Sequence, residues 1–163
     1  MKYHPGWLAT GLLIFAVLAC GNSNNSNNSN NSNSNDNRSS KSASETRPAN
    51  ADVYVEKINM AKDKNGEPGD ATTSFAPDER TVHCIIHLNK AKAGTKIKFT
   101  WMTVDVEGVP KDDEIKSFDY VTNSFENIVH AHLTFPQDWP KGSYKVDVYI
   151  DGTRDKTISY TVK

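Results

Sequence analysis

The chain has 163 residues, with 19 basic and 20 acidic side chains and a formal net charge of −1. So even a balance gives no electrostatic case for nucleic-acid binding, which would need a clustered basic face, and no nucleic-acid partner is expected. Only two cysteines are present, which excludes a disulfide-dense scaffold and leaves stability to an apolar core.

The first segment reads as an address. Lys2 supplies a short positive start, and Trp7 to Ala19 is an apolar run. A transmembrane helix needs roughly 20 apolar residues, so this run is too short to span a bilayer but fits the core of a secretory signal. Ala19 is small and is followed by Cys20-Gly21. This Leu18-Ala19-Cys20 ending resembles the lipobox of bacterial lipoproteins. The resemblance implies a signal peptide over residues 1–19, cleavage before Cys20, a diacylglycerol on the Cys20 thiol and acylation (palmitate or a similar chain) of the new N-terminus. The alternative is an ordinary secretory signal with an unrelated cysteine at its end. A retained anchor helix is disfavoured, because polar Gly21-Asn22-Ser23 follows directly with no basic stop-transfer cluster. Cleavage removes Lys2 and no acidic group, which takes the net charge to −2. The implied location is the cell envelope, with the membrane as a partner through the lipid. Gly21 is not the Asp that resembles an inner-membrane retention signal, so an organism with two membranes would place the protein in the outer one.

Residues 20–49 form the next segment. After Gly21 the chain reads NSNNSNNSNNSNSNDN and then RSSKSASETRPA, with no aromatic or large aliphatic side chain. Such a stretch buries too little apolar surface to offset the entropy of ordering, and is expected to be disordered. Its asparagine-serine repetition is low complexity rather than a structural repeat. As a flexible coil it would reach about 30 Å, enough to tether a folded head to a lipid.

Residues 50–163 are expected to form one domain, within the common size of about 100–150 residues. Asp52–Met60 alternates as a strand. Asp63–Arg80 reads as a long polar loop carrying Gly66, Pro68, Gly69 and Pro77. Thr81–Leu88 is a strand, Ala93-Gly94 a turn, and Lys96–Met102 a strand with Ile97, Phe99 and Trp101 on one face. A loop over Glu107–Asp113 leads to a weaker strand, Glu114–Val121. Asn127–Phe135 is a strand, and Pro136–Gly142 a turn. Ser143–Ile150 and Thr157–Val162 are the last two strands, joined across the hairpin signal Asp151-Gly152. Seven short strands at near-regular spacing, with no convincing helix, indicate an all-β, seven-stranded antiparallel sandwich after the tether.

Three features resemble the immunoglobulin-like domains, including their early-set group. Trp101 sits on the third strand. Pro140-Lys141-Gly142-Ser143-Tyr144 looks like a Pro-x-Gly-x-Tyr lead-in to a late strand, followed by a tight hairpin. The chain closes on the last strand. The antibody-type disulfide is missing, since Cys84 is the sole cysteine of this region. The resemblance implies a sandwich fold and is nearly silent on function.

Histidine supplies the one constellation with chemical content. His83 and His87 share a face of the second strand with Ile85. His130 and His132 share a face of the fifth with Ile128 and Thr134. An immunoglobulin-like topology makes these two strands antiparallel neighbours, which brings all four imidazoles to one outer sheet surface. Side chains two apart on a strand stand about 6.6 Å apart, and those four apart about 13 Å. His130 and His132 with either His83 or His87 are therefore a candidate site for Zn or Cu. No acidic residue accompanies them on these two strand faces. The plainer reading is a set of half-buried surface imidazoles.

The remaining candidates are weaker. Asp63, Asn65 and Glu67 alternate like the start of a calcium loop, but Pro68 and Ser74 occupy the positions where an EF-hand needs Gly and Glu. Cys84 falls on the apolar face and reads as core. Trp139, between prolines, either packs over the end of the sandwich or presents an exposed binding aromatic. Nucleophile elbow, phosphate-binding loop and dinucleotide fingerprint are absent from the sequence. The expectation is a non-enzymatic lipid-anchored envelope protein that meets a protein or glycan partner or serves as a structural module. The alternative is a metal-binding envelope lipoprotein.

Overall fold

Alternation along the strands separates an inner apolar layer from two outer faces. In the computed structural model, which describes residues 43–163, ten strands carry it. They are β1 (Ala43–Glu45), β2 (Val55–Lys64), β3 (Glu67–Ala71), β4 (Ser74–Phe75), β5 (Thr81–Leu88), β6 (Lys96–Val106), β7 (Glu114–Val121), β8 (Ile128–Thr134), β9 (Gly142–Ile150) and β10 (Thr153–Val162). One sheet runs β1-β10-β9-β6-β7, with β4 added parallel to β10. The other runs β3-β2-β5-β8. Every other pairing is antiparallel. The seven strands expected from the sequence are β2 and β5 to β10. The signal segment, Cys20 and the tether up to residue 42 lie outside the described residues.

The inner layer is built from the residues that alternation selects. On β5, Val82, Cys84, Ile86 and Leu88 are buried, and they face Ile97, Phe99 and Trp101 of β6 within one core. Fully burying such side chains contributes about 1.5–3 kcal/mol each. Cys84 is a free thiol in this layer, and burial pushes its pKa up, which keeps it protonated and unreactive.

Two parts of the chain differ from expectation. β1 lies within the segment expected to be unstructured. It pairs with β10 from Ala43↔Ile158 to Glu45↔Lys156, and the Lys156 ammonium meets the Glu45 carboxylate at 2.9 Å. The expected loop Asp63–Arg80 instead holds the end of β2, then β3 and β4. Asn65 (φ 58°) and Gly66 (φ 90°) form the two-residue turn between Lys64 and Glu67. Both central residues have positive φ, as a type I′ hairpin requires, and Asn-Gly is the sequence best suited to it. Asp63, Asn65 and Glu67, which alternate like the start of a calcium loop, therefore sit on a hairpin.

The late-strand lead-in has a steric reason for its glycine. Gly142 has φ +154°, and a Cβ there would fall 2.5 Å from the Asp105 carbonyl oxygen on β6. Two residues on, the Tyr144 hydroxyl donates to the Pro140 carbonyl at 2.6 Å. The motif thus brings β9 against β6 and locks the preceding turn to the strand it starts.

Candidate functional site

β5 lies between β2 and β8, and its register decides which histidines meet. His83 pairs with His132, Ile85 with His130, and His87 with Ile128. The ring of His83 lies 5.3 Å from that of His132 and 6.0 Å from that of His130, centroid to centroid. One nitrogen from each of His83, His130 and His132 falls within 4.8 Å of the others. His87 stands outside this group. The neighbouring-strand geometry expected from the sequence therefore brings together three of the four imidazoles.

The three differ in environment. His130 and His132, on the edge strand β8, are exposed. His83 is 0% exposed, which overturns the expectation of a half-buried surface ring. Opposite it on β2 is Ala61, whose single methyl leaves room beside the imidazole. Two residues farther along the same face of β2 comes Asp63. Its Oδ1 lies 2.9 Å from His83 Nε2. A carboxylate can only accept, so the ring donates from Nε2. The other nitrogen, Nδ1, is buried without a partner. In the neutral ring this nitrogen carries the lone pair.

Asp63 is also held by its own hairpin, accepting from the Gly66 N–H at 3.1 Å. The His83 hydrogen bond, followed by that of Gly66, keeps the Asp63 carboxyl below the usual carboxylate range, against a smaller opposing effect of burial. No acidic residue was expected beside the histidines, because neither histidine-bearing strand carries one on that face. The acid comes from β2, and the Asn65-Gly66 turn is the local signal that β2 continues past Met60.

No protein-family model matches the chain, and no curated protein matches it. Solved structures do. An immunoglobulin-like protein from Pseudomonas aeruginosa aligns with a TM-score of 0.50 at 18% identity, over 71% of this chain and 100% of the other. The described chain has an immunoglobulin-like fold. An alkylpurine DNA glycosylase from Pseudomonas fluorescens, bound to DNA containing an abasic-site analogue, aligns at a TM-score of 0.44 and 12% identity, over 69% of this chain and 31% of that one.

Within the immunoglobulin-like domain, Trp139 is not an exposed binding aromatic. It is 2% exposed. Its ring stacks on Phe135 at 4.7 Å and meets Tyr144 edge-on at 5.3 Å. Its indole N–H donates to the Arg80 carbonyl at 2.9 Å. Tyr144 of β9 and Tyr160 of β10 both meet its ring edge-on.

The most exposed aromatic among the described residues lies elsewhere. Phe125, on the β7–β8 connection, is 94% exposed, and Val121 and Ile128 on either side of it are more than half exposed. A groove of about 580 Å³ also runs over the outer face of β6, β7 and β9, lined by Lys96, Lys98, Met102, Tyr120 and Tyr149 among others. No motif in the sequence marks either feature.

Proposed function

We propose that this protein is a non-enzymatic, lipid-anchored cell-envelope protein whose immunoglobulin-like domain meets a protein or glycan partner at the membrane surface. The anchor rests on the apolar run ending at Cys20 and on its resemblance to a lipobox. The spacing rests on the polar stretch that follows. With β1 beginning at Ala43, a coil over residues 21–42 would reach about 25 Å. The observation that carries the binding reading is the 94% exposure of Phe125 on the β7–β8 connection, with Val121 and Ile128 exposed at the strand ends on either side. Large apolar side chains left exposed on a loop mark contact surfaces more often than the rest of a surface does.

Both halves are open to test in a bacterial host. The full chain should incorporate a palmitate analogue and fractionate with membranes, and Cys20→Ser should abolish the label and release the protein. Retained label in Cys20→Ser would refute the anchor. Saturable capture of an envelope component by the full chain should weaken at least tenfold in Phe125→Ser. Capture indifferent to that change would move the contact surface away from the β7–β8 connection.

A further inference from the structure

We infer that His83, His130 and His132 form a binding site for a divalent transition-metal ion of the zinc and copper class, with Asp63 positioning His83. Four observations converge on it. Three imidazole nitrogens already lie within 4.8 Å of one another. One of the three rings is fully buried, which fixes its place in the sheet. That ring leaves Nδ1 without any partner, although a buried unsatisfied polar atom costs about 1–3 kcal/mol. Its other nitrogen donates to a carboxylate at 2.9 Å, the arrangement that sets tautomer and orientation in metal-ligating histidines.

The chemistry of the donors selects the ion. Three neutral nitrogens suit zinc, copper or nickel, whereas calcium and magnesium need oxygen ligands. Cys84 is the one thiol among the described residues, and it lies in the core, so no thiolate joins the set. Zinc–nitrogen bonds of about 2.0–2.1 Å in a tetrahedron put ligand nitrogens about 3.3 Å apart. Closing from 4.8 Å to that spacing asks little of His130 and His132, whose exposed rings are free to rotate. Two of the three histidines, His130 and His132, stand exposed on the edge strand β8, which leaves the fourth position to water. His87, opposite Ile128, is excluded by register.

Isothermal titration of the full chain, purified in detergent without a polyhistidine tag, with zinc chloride tests the site. One zinc per chain should bind saturably. His130→Ala and His132→Ala should each weaken binding at least tenfold, and His87→Ala should leave it unchanged. Asp63→Asn should weaken it about 10–100-fold and shift the visible spectrum of the Co²⁺-loaded protein, with recovery in Asp63→Glu. Absence of saturable binding would overturn the inference. So would equal affinity in His130→Ala, His132→Ala and the unsubstituted chain, or a loss in His87→Ala as large as theirs. An Asp63→Asn affinity and cobalt spectrum like those of the unsubstituted chain would remove Asp63 from the site.

Discussion

Each outer face of the sandwich carries a cross-strand row with a buried polar centre, and only one row has that centre fully partnered. On the β7-β6-β9-β10 side, register lines up Ser117, Thr100, Asp147 and Thr157 across four strands. Thr100 and Ser117 share a hydrogen bond at 3.4 Å, and Thr157 donates to Asp147. The Arg154 guanidinium lies 3.8 Å from the other Asp147 oxygen. On the β2-β5-β8 side the corresponding row is Ala61, His83 and His132. His83 gains Asp63 on one nitrogen and nothing on the other. Buried polar groups are almost always partnered, so a closed row reads as structure and an open one as a place for a ligand. Identical strand alternation produced both rows; the partners supplied from the neighbouring strands made the difference.

The sharpest way to break the comparison is to remove the centre of the open row. His83→Ala deletes a buried ring and leaves the Asp63 carboxylate to the Gly66 N–H and solvent. The cavity left by this buried ring should cost about 2–4 kcal/mol in urea denaturation without metal. It should also abolish zinc binding. A loss below about 0.5 kcal/mol would mean that the imidazole is not packed as described.

Removing the centre of the closed row should do less to stability and nothing to the metal. Asp147→Ala deprives the Thr157 hydroxyl of its acceptor and should cost about 1–3 kcal/mol. Its zinc titration should overlay that of the unsubstituted chain. A change in zinc affinity in Asp147→Ala would erase the distinction between the two faces.

Much of this arrangement is legible in the order of residues alone. The bounds of β5 and β7 follow from alternation, and the β5–β8 pairing follows from the immunoglobulin-like resemblance. Together they suffice to bring His83, His130 and His132 near one another. Asp63 is hidden for a physical reason: its partner depends on the register of β2 against β5, which is a long-range property. Trp139 shows the same limit in part: Phe135 and Tyr144 are its neighbours in sequence, but Tyr160, which also meets its ring, comes from β10. β1 has no apolar pattern to read. Its Ala-Ser-Glu sequence is held by backbone pairing to β10 and by the Lys156–Glu45 ion pair.

The smallest expected effect concerns how the open row responds to acid. His83 and Gly66 hold the Asp63 carboxyl below its ordinary value. A carboxyl with a depressed pKa in the folded chain binds fewer protons there than in the unfolded chain. Its stabilising contribution is therefore complete above the ordinary aspartate value of about 3.9, and is lost as pH falls through the lower folded value. Asp63→Asn cannot titrate. Its urea midpoint should start lower at pH 7 and decline less steeply than that of the unsubstituted chain below about pH 4. Asp63 is largely open to solvent, so added salt should narrow the gap between the two profiles. Superimposable acid limbs would mean that the His83–Asp63 contact exerts no electrostatic hold, leaving His83 Nε2 as free as Nδ1 and the open row without its positioning acid.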